Sequence, residues 1–314
     1  MEVLEWRDGH RLPGGNNFAA IGTFDGVHIG HRSVIHKMLA TAADNSGRKM
    51  VVTFEPHPRE VTNGANGPAL LTAFPDKARL IEQIGADTLM KIPFTAAVAR
   101  MAPKDFVRDI LCRDLRIVYA CVGFNYRFGR GGSGDTAVLR TLGEEYGITV
   151  DIVEPVAVDG VIVSSTTIRG LLETGDVEAA TRYLGSFPLL SGRVVAGAQR
   201  GRKLGFPTAN IQVDPRLIQP AAGVYAAYLG LNGRRYQGIA NIGYSPTFYA
   251  AGMRQLRLEV HIFDFSRDIY GETVTVEFVS RIRSEQVFRS GDELSGQLNL
   301  DRAIARRRLQ EDRS

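Results

Sequence analysis

Cysteine is scarce in this chain. Of 314 residues only Cys112 and Cys121 are cysteines, too few for a disulfide framework or a thiolate metal cluster. Long apolar runs are missing as well, and nothing approaches the ~20 consecutive apolar residues that span a bilayer. The first residues, Met1 to Asp8, mix charges and lead into no apolar block, so no secretory signal is expected. These absences point to the cytoplasm, where buried thiols stay reduced. A large excess of one charge sign is also absent. The 38 Lys and Arg against 34 Asp and Glu leave +4, which suits anionic small molecules and is weak ground for nucleic-acid binding. Neither a nucleic-acid nor a membrane partner is expected. The most basic run, Arg302 to Leu309, reads as the exposed face and cation-rich last turn of a terminal helix. With 44% hydrophobic and 23% charged residues, collagen, coiled coil and wholesale disorder are excluded. The length favours two domains.

The first half alternates strand-like and helix-like stretches. Phe18–Thr23, Met50–Phe54, Thr88–Ile92, Ile117–Val122 and Thr149–Val153 read as buried strands. Helices are expected near 31–43, 76–84, 104–111 and 136–146. That alternation predicts an α/β, Rossmann-like unit with a parallel sheet. Ligands of such sheets bind beyond the carboxyl ends of the strands. After Arg182 the pattern changes to successive short strands rich in β-branched and aromatic residues: 192–196, 223–231, 235–242, 256–263 and 273–279. Asn232-Gly233 marks a hairpin between two of them, and helical spacing returns over 292–309. A small antiparallel β-barrel closed by a terminal helix is predicted. The boundary is placed near 186, giving domains of 1–186 and 187–314.

The segment Gly22 to His31 lies between the first strand and the first helix, where free backbone N–H groups face an anion. Gly22, Gly26 and Gly30 permit close backbone approach. His28 and His31, three apart, could both face one phosphate chain and donate hydrogen bonds to charge developing on it. A glycine-rich turn with two surface histidines is the plainer reading, and the strand-loop-helix context argues against it. Two histidines alone lack the third ligand that a metal reading needs. A second cue is Ser164 to Arg169, whose hydroxyls could cap a helix over 168–173 or hold phosphate together with Arg169.

In the second half, Gly192 to Asn210 begins with glycines and cations, Gly201 and Lys203 among them. They suit a flap over phosphates; by itself the run would be a solvated basic loop. Phe206-Pro-Thr-Ala-Asn210 is more specific. In extended backbone Thr208 and Asn210 present oxygen ligands on one face, as Mg²⁺ prefers.

Gly22–His31 and Ser164–Arg169 resemble the two signature motifs of the HxGH nucleotidyltransferase superfamily. From about Phe18 to Leu309 the chain resembles the bifunctional bacterial riboflavin kinase/FMN adenylyltransferases. Phe54–Pro58, Gly123–Asp135, the Pro207-Thr-Ala-Asn210 motif, Asn241–Phe248, Leu258–Phe265 and Asp268–Glu272 carry that likeness. The resemblance implies ATP, riboflavin, FMN and FAD as substrates or products, with Mg²⁺ as cofactor. In the first domain an FMN phosphate oxygen would attack the α-phosphorus of ATP. His28 and His31 would stabilise the transition state. Gly22, Phe24, Asp25, Gly30 and Asn125 would line the ATP site, and Ser164, Thr166 and Arg169 would hold the triphosphate. Asp25 could instead position the loop or assist a metal, and His57 could simply shape a rigid loop. In the second domain Gly201, Lys203, Thr208 and Asn210 would hold ATP, with Thr208 and Asn210 on the metal. Glu259 would be general base for a riboflavin hydroxyl; its plainer reading is a solvent-facing strand residue. Arg283 and Phe288 could border the flavin or pack the terminal helix.

Two other readings compete. His28-Ile-Gly-His31 is also the first signature of class I aminoacyl-tRNA synthetases, but no later lysine-rich loop or anticodon-binding domain follows. A flavin-binding module that has lost catalysis would not need Thr208, Asn210 and Glu259 intact.

Overall fold

The computed structural model describes residues 1–13, 15–63, 67–197, 206–244 and 256–312. They form two compact units. The first comprises residues 1–69 and 74–164, the second 70–73 and 165–314.

The first unit is built on six parallel strands: β1 (Glu2–Glu5), β2 (Asn17–Ile21), β3 (Arg48–Glu55), β4 (Thr88–Pro93), β5 (Ile117–Gly123) and β6 (Thr149–Val153), in spatial order β1-β4-β3-β2-β5-β6. All five residues of β2 are buried, as expected of a central strand covered on both faces. From β2 the chain steps outward through β3 and β4, then returns to place β5 on the other side of β2. The loops after β2 and β5 therefore leave the sheet side by side, at its topological switch point. Three helices matter to the site: α1 (Ile29–Asp44), α2 (Pro58–Asn63) and α3 (Phe74–Ile84). The stretch expected as a helix over 104–111 becomes a π-helical segment, Phe106–Asp114. Strand β1 was not expected. Glu-Val-Leu-Glu is mixed in charge and mostly exposed, and only the open edge of β4 makes it a strand. A short hairpin, β7 (Ala157–Val158) and β8 (Val161–Ile162), ends the unit.

The second unit is a closed antiparallel barrel of β9 (Leu189–Val195), β10 (Ala209–Val213), β11 (Gly223–Leu231), β12 (Arg234–Tyr244), β13 (Leu256–Ile262) and β14 (Thr273–Ser284). The strands run round it in the order β10-β13-β12-β11-β14-β9. At the β11–β12 turn Asn232 (φ 50°) and Gly233 (φ 75°) both adopt positive φ, the two-residue hairpin that their sequence predicts. Helices Ser165–Thr174 and Val177–Leu184 belong to this unit. The change in sequence pattern near residue 186 therefore lies some twenty residues beyond the division between the compact bodies, at Ser164/Ser165. The reason is physical. Arg281 on β14 donates to the carbonyl of Thr174 at 2.9 Å, and its backbone N–H donates to Glu178 at 3.1 Å. Segment Leu70–Ala73 joins the same unit through backbone hydrogen bonds of Leu70 with Arg216 and Ile218.

The terminal helix, Gly291–Glu311, lays Asp301, Ala305 and Leu309 on the barrel, four residues apart on one stripe. Ser290 caps it by accepting from the N–H of Glu293 at 3.2 Å. Arg283 grips the fully buried Asp301 with two parallel bonds of 3.0 and 2.8 Å. Arg283 thus packs the helix. Arg283→Met strands a buried carboxylate, and the barrel should lose about 3–5 kcal/mol in chemical denaturation followed by circular dichroism.

Candidate functional site

The loop from Gly22 to His28 leaves β2 at the switch point and ends as the cap of α1. His28 is that cap: its Nδ1 accepts the backbone N–H of His31 at 3.2 Å. A nitrogen that accepts carries no proton, so a neutral His28 holds its proton on Nε2. The two imidazoles stack, with centroids 3.5 Å apart and planes 16° from parallel, and Phe24 meets His31 edge-on at 5.4 Å. Burial above all, then the neighbouring His28 ring and the ammonium of Lys77, hold the pKa of His31 well below 6.5. His31 is therefore neutral at pH 7. Nδ1 of His31 is buried and has no hydrogen-bond partner among the described residues. A buried polar atom left unpaired is costly, and this one is available to a bound group.

The loop is held in a conformation its residues do not favour. Phe24 (φ 49°) and Val27 (φ 43°) sit in the left-handed region, at an order of 1–3 kcal/mol each. Burial and polar ties hold them there: Phe24 and Val27 are 1% and 0% exposed. The Thr53 hydroxyl donates to the Thr23 carbonyl at 3.0 Å, and Arg32 donates to that of Val27 at 3.1 Å. Packing is close at two glycines: a Cβ at Gly30 would stand 3.2 Å from the His28 ring, and one at Gly22 3.1 Å from the ring of Phe24. Asp25 is buried beneath the loop, 2% exposed.

Asn125 lies just beyond β5, with its carboxamide oxygen over Gly123, where Val34 of α1 also approaches. The structure thus gathers Gly22, Phe24, Asp25 and His28 in one loop and Gly30 and His31 in the first turn of α1 that follows it, with Asn125 on the neighbouring loop. Ser164 is the last residue of the first unit. Thr166, exposed, and Arg169, buried, lie in the helix Ser165–Thr174 of the second. That helix starts three residues earlier than its sequence suggests, so the run of hydroxyls forms its first turn instead of preceding it. Lys77, in the first turn of α3 and 3% exposed, escapes a sequence reading. A lysine in an amphipathic helix is normally on the wet side, and only tertiary packing buries this one.

In the barrel, Glu259 on β13 stands directly opposite Asn210 on β10 and Asn241 on β12, and the Thr208 hydroxyl lies 3.4 Å from its Oε2. Leu258 and Val260, both buried, take the other face of β13. One step along, His261 Nδ1 is 2.9 Å from the carbonyl of Pro207. A carbonyl only accepts, so Nδ1 carries the proton and ties the Pro207–Asn210 segment to β13. Asn241 was not singled out in sequence; its place beside Glu259 depends on strand register. Gly201 and Lys203 lie outside the described residues. Thr208 and Asn210 offer hydroxyl and carboxamide oxygens, hard donors that fit Mg²⁺.

Gly197 lies against the carboxamide of Asn210, in space that a Cβ cannot share. Gly197→Ala should push only the end of that side chain aside. The barrel should melt near the wild-type temperature, and the phosphoryl transfer that the resemblance implies for this half should fall by roughly ten- to a hundredfold in a coupled ADP assay.

Comparison with known proteins agrees with this geometry. Residues 14–167 match the FAD synthetase family and residues 184–309 the riboflavin kinase family. A bifunctional riboflavin kinase/FMN adenylyltransferase of Bacillus subtilis is 38% identical over 288 residues, 91% of this chain and 90% of its own. One from Escherichia coli K12 is 39% identical over 287 residues, with the same coverage. A crystal structure described as a macrolide-efflux protein from Streptococcus pneumoniae superposes with a TM-score of 0.87 at 28% identity, covering 98% of this chain and 99% of that one. No helix among the described residues of the present chain is long and apolar enough to cross a membrane. A parallel-sheet unit with a paired-histidine loop and a closed barrel with an oxygen-lined row, matched over 91% of the chain by such relatives, make the chain a member of the bifunctional riboflavin kinase/FMN adenylyltransferase family.

Proposed function

We propose that this chain makes FMN in its barrel and FAD in its parallel-sheet unit, with His28 and His31 serving adenylyl transfer and Glu259 serving phosphorylation. What carries the reading is that each compact unit has its own candidate groups: the stacked imidazoles at the switch point of one, and the Thr208–Glu259–Asn210 row of the other. The pair of reactions, riboflavin to FMN and FMN to FAD, follows from family membership.

In adenylyl transfer an ionised oxygen of the FMN phosphate attacks the α-phosphorus of ATP, and the bond to the bridging oxygen breaks to release pyrophosphate. The attacking oxygen carries no proton at neutral pH, so no general base is required. The protein's work is positioning and stabilisation of charge. His28, with its proton on Nε2, donates to oxygens of the transferring group, and the first turn of α1 adds its free N–H groups. Gly22, Phe24, Asp25, Gly30 and Asn125 shape the nucleotide site; Ser164, Thr166 and Arg169 are assigned to the triphosphate on their sequence alone.

Phosphorylation needs a base, because the riboflavin hydroxyl must lose its proton as its oxygen attacks the γ-phosphorus. Glu259 takes that proton, oriented by the hydroxyl of Thr208, and ADP leaves. Thr208 and Asn210 would hold Mg²⁺, which when bound supplies charge neutralisation on the phosphates of ATP. Gly201 and Lys203 are assigned to ATP phosphates on their sequence alone. Both reactions are placed in the cytoplasm, a reading supported by Cys112 and Cys121 standing as free thiols. The test is a single chromatographic assay with riboflavin, ATP and Mg²⁺. Successive appearance of FMN and FAD is the expected result, and bound but unchanged flavin would overturn the proposal.

A further inference from the structure

Two cations of the terminal helix take no part in the reactions as derived. In sequence the run Arg302–Leu309 reads as an exposed helix face. Arg302 and Arg306, one turn apart on it, instead lie over aromatic rings of the barrel. The guanidinium of Arg302 is 5.4 Å from the centre of the Phe206 ring, and that of Arg306 is 4.8 Å from Phe263. The imidazole of His261 meets both rings, at 5.1 Å and 5.9 Å. Arg306 also donates to the two carboxylate oxygens of Asp264 at 3.0 and 2.9 Å, which ties this turn of the helix to the end of β13. The row of rings and cations ends on the segment that carries Thr208 and Asn210. There the ladder of β10 with β13 begins only at Ala209, opposite Val260, and Pro207 has no N–H with which to extend it. A side chain takes over: His261, on the same face of β13 as Glu259, donates to the Pro207 carbonyl at 2.9 Å. Phe206, the residue before, is 5% exposed.

We propose that Arg302 is a positioning residue of the phosphorylation site: through the ring of Phe206 it clamps the Pro207–Asn210 segment against His261, and so holds the Thr208 hydroxyl at Glu259. The proposal rests on the reading that Thr208, Asn210 and Glu259 serve phosphorylation. A guanidinium over an aromatic ring is attracted to it, so Phe206 is fixed from the helix while Pro207 is fixed from β13. Both lie immediately before Thr208, whose hydroxyl is 3.4 Å from Oε2 of Glu259. That separation is already at the long end for two oxygens, and a further shift of about 1 Å at a reacting site costs up to about a hundredfold in rate. The electrostatics of the row agree. Burial first, with Arg302 and Arg306 adding to it against the pull of Pro207 and Asp264, lowers the pKa of His261 from 6.5. A neutral ring with its proton on Nδ1 therefore meets Pro207 at pH 7.

The test uses the full-length chain with Arg302→Met, Phe206→Leu and the two combined. Arg307→Met, exposed on the same helix, controls for loss of charge alone. Turnover and KM for riboflavin are measured in phosphorylation, with FAD formation from supplied FMN by the same protein as control. In Arg302→Met, turnover of phosphorylation should fall by about tenfold, with KM changed less than about threefold and FAD formation unchanged. In imidazole NMR the Nδ1 proton of His261 should exchange faster with water as its bond to Pro207 loosens. Because Arg302 acts through Phe206, the double variant should be no worse than Phe206→Leu alone. Arg307→Met should match the wild type in every readout. Wild-type turnover in Arg302→Met, an unmoved His261 signal, additive losses in the double variant, or an equal loss in Arg307→Met would each overturn the proposal. Should Arg302→Met not fold, Phe206→Leu removes the ring instead: a loss confined to turnover supports the clamp, and wild-type turnover refutes it. Glu259→Gln separates the two levels. If it phosphorylates riboflavin at the wild-type rate, the reading of the site itself is wrong, whatever Arg302 does.

Discussion

FAD formation from FMN and ATP is expected to fall by roughly 10²–10³-fold in His28→Ala or His31→Ala, the usual cost of removing a preorganised donor from developing charge, while the same protein continues to phosphorylate riboflavin. The two histidines should act as one group. Their rings stack at 3.5 Å and the backbone of one donates to the ring of the other, so the double variant should be little worse than either single one. His28 has a second task, because its Nδ1 caps α1. His28→Ala therefore also weakens the helix start, by about 1 kcal/mol. His28→Asn distinguishes the two tasks: asparagine caps a helix well but brings no imidazole, so melting should stay near wild type while FAD formation is still lost. Chromatographic separation of FMN from FAD, with each substrate supplied in turn, reads both activities. Loss of both in a folded His28→Asn protein would mean that the sites are not independent.

Glu259→Gln should produce the mirror image. The amide keeps the size of the side chain and can still meet the Thr208 hydroxyl, but it cannot take a proton. Riboflavin phosphorylation should fall by roughly 10²–10⁴-fold, and FAD formation from supplied FMN should continue. KM for ATP should move little, since the carboxylate is assigned to proton transfer and not to nucleotide binding. A glutamine variant that phosphorylates riboflavin at the wild-type rate would return Glu259 to the status of an ordinary strand residue. Gly197→Ala provides the milder comparison, because it disturbs Asn210 from outside the cluster.

Much of the fold was legible because its signals are local. Strands such as Thr149–Val153 and the helix Thr136–Tyr146 are where apolar spacing puts them, and Asn232-Gly233 turns as its residues require. The elements that escaped are those whose reasons lie elsewhere in the chain. Strand β1 exists because β4 has an open edge, and β10 was read as a motif before it could be read as a strand.

The amino-acid order by itself determined which chemistry each half could hold: paired imidazoles at a strand-to-helix junction, oxygen ligands two apart in extended backbone, and a carboxylate on an alternating strand. These are properties of residue type and short spacing, and they survive without coordinates. Only the tertiary structure decided that the imidazoles stack, that Asn241 completes a row with Glu259 and Asn210, and that Lys77 is buried. Each of these depends on burial or strand register, contributed by segments tens of residues away, and no local pattern records them.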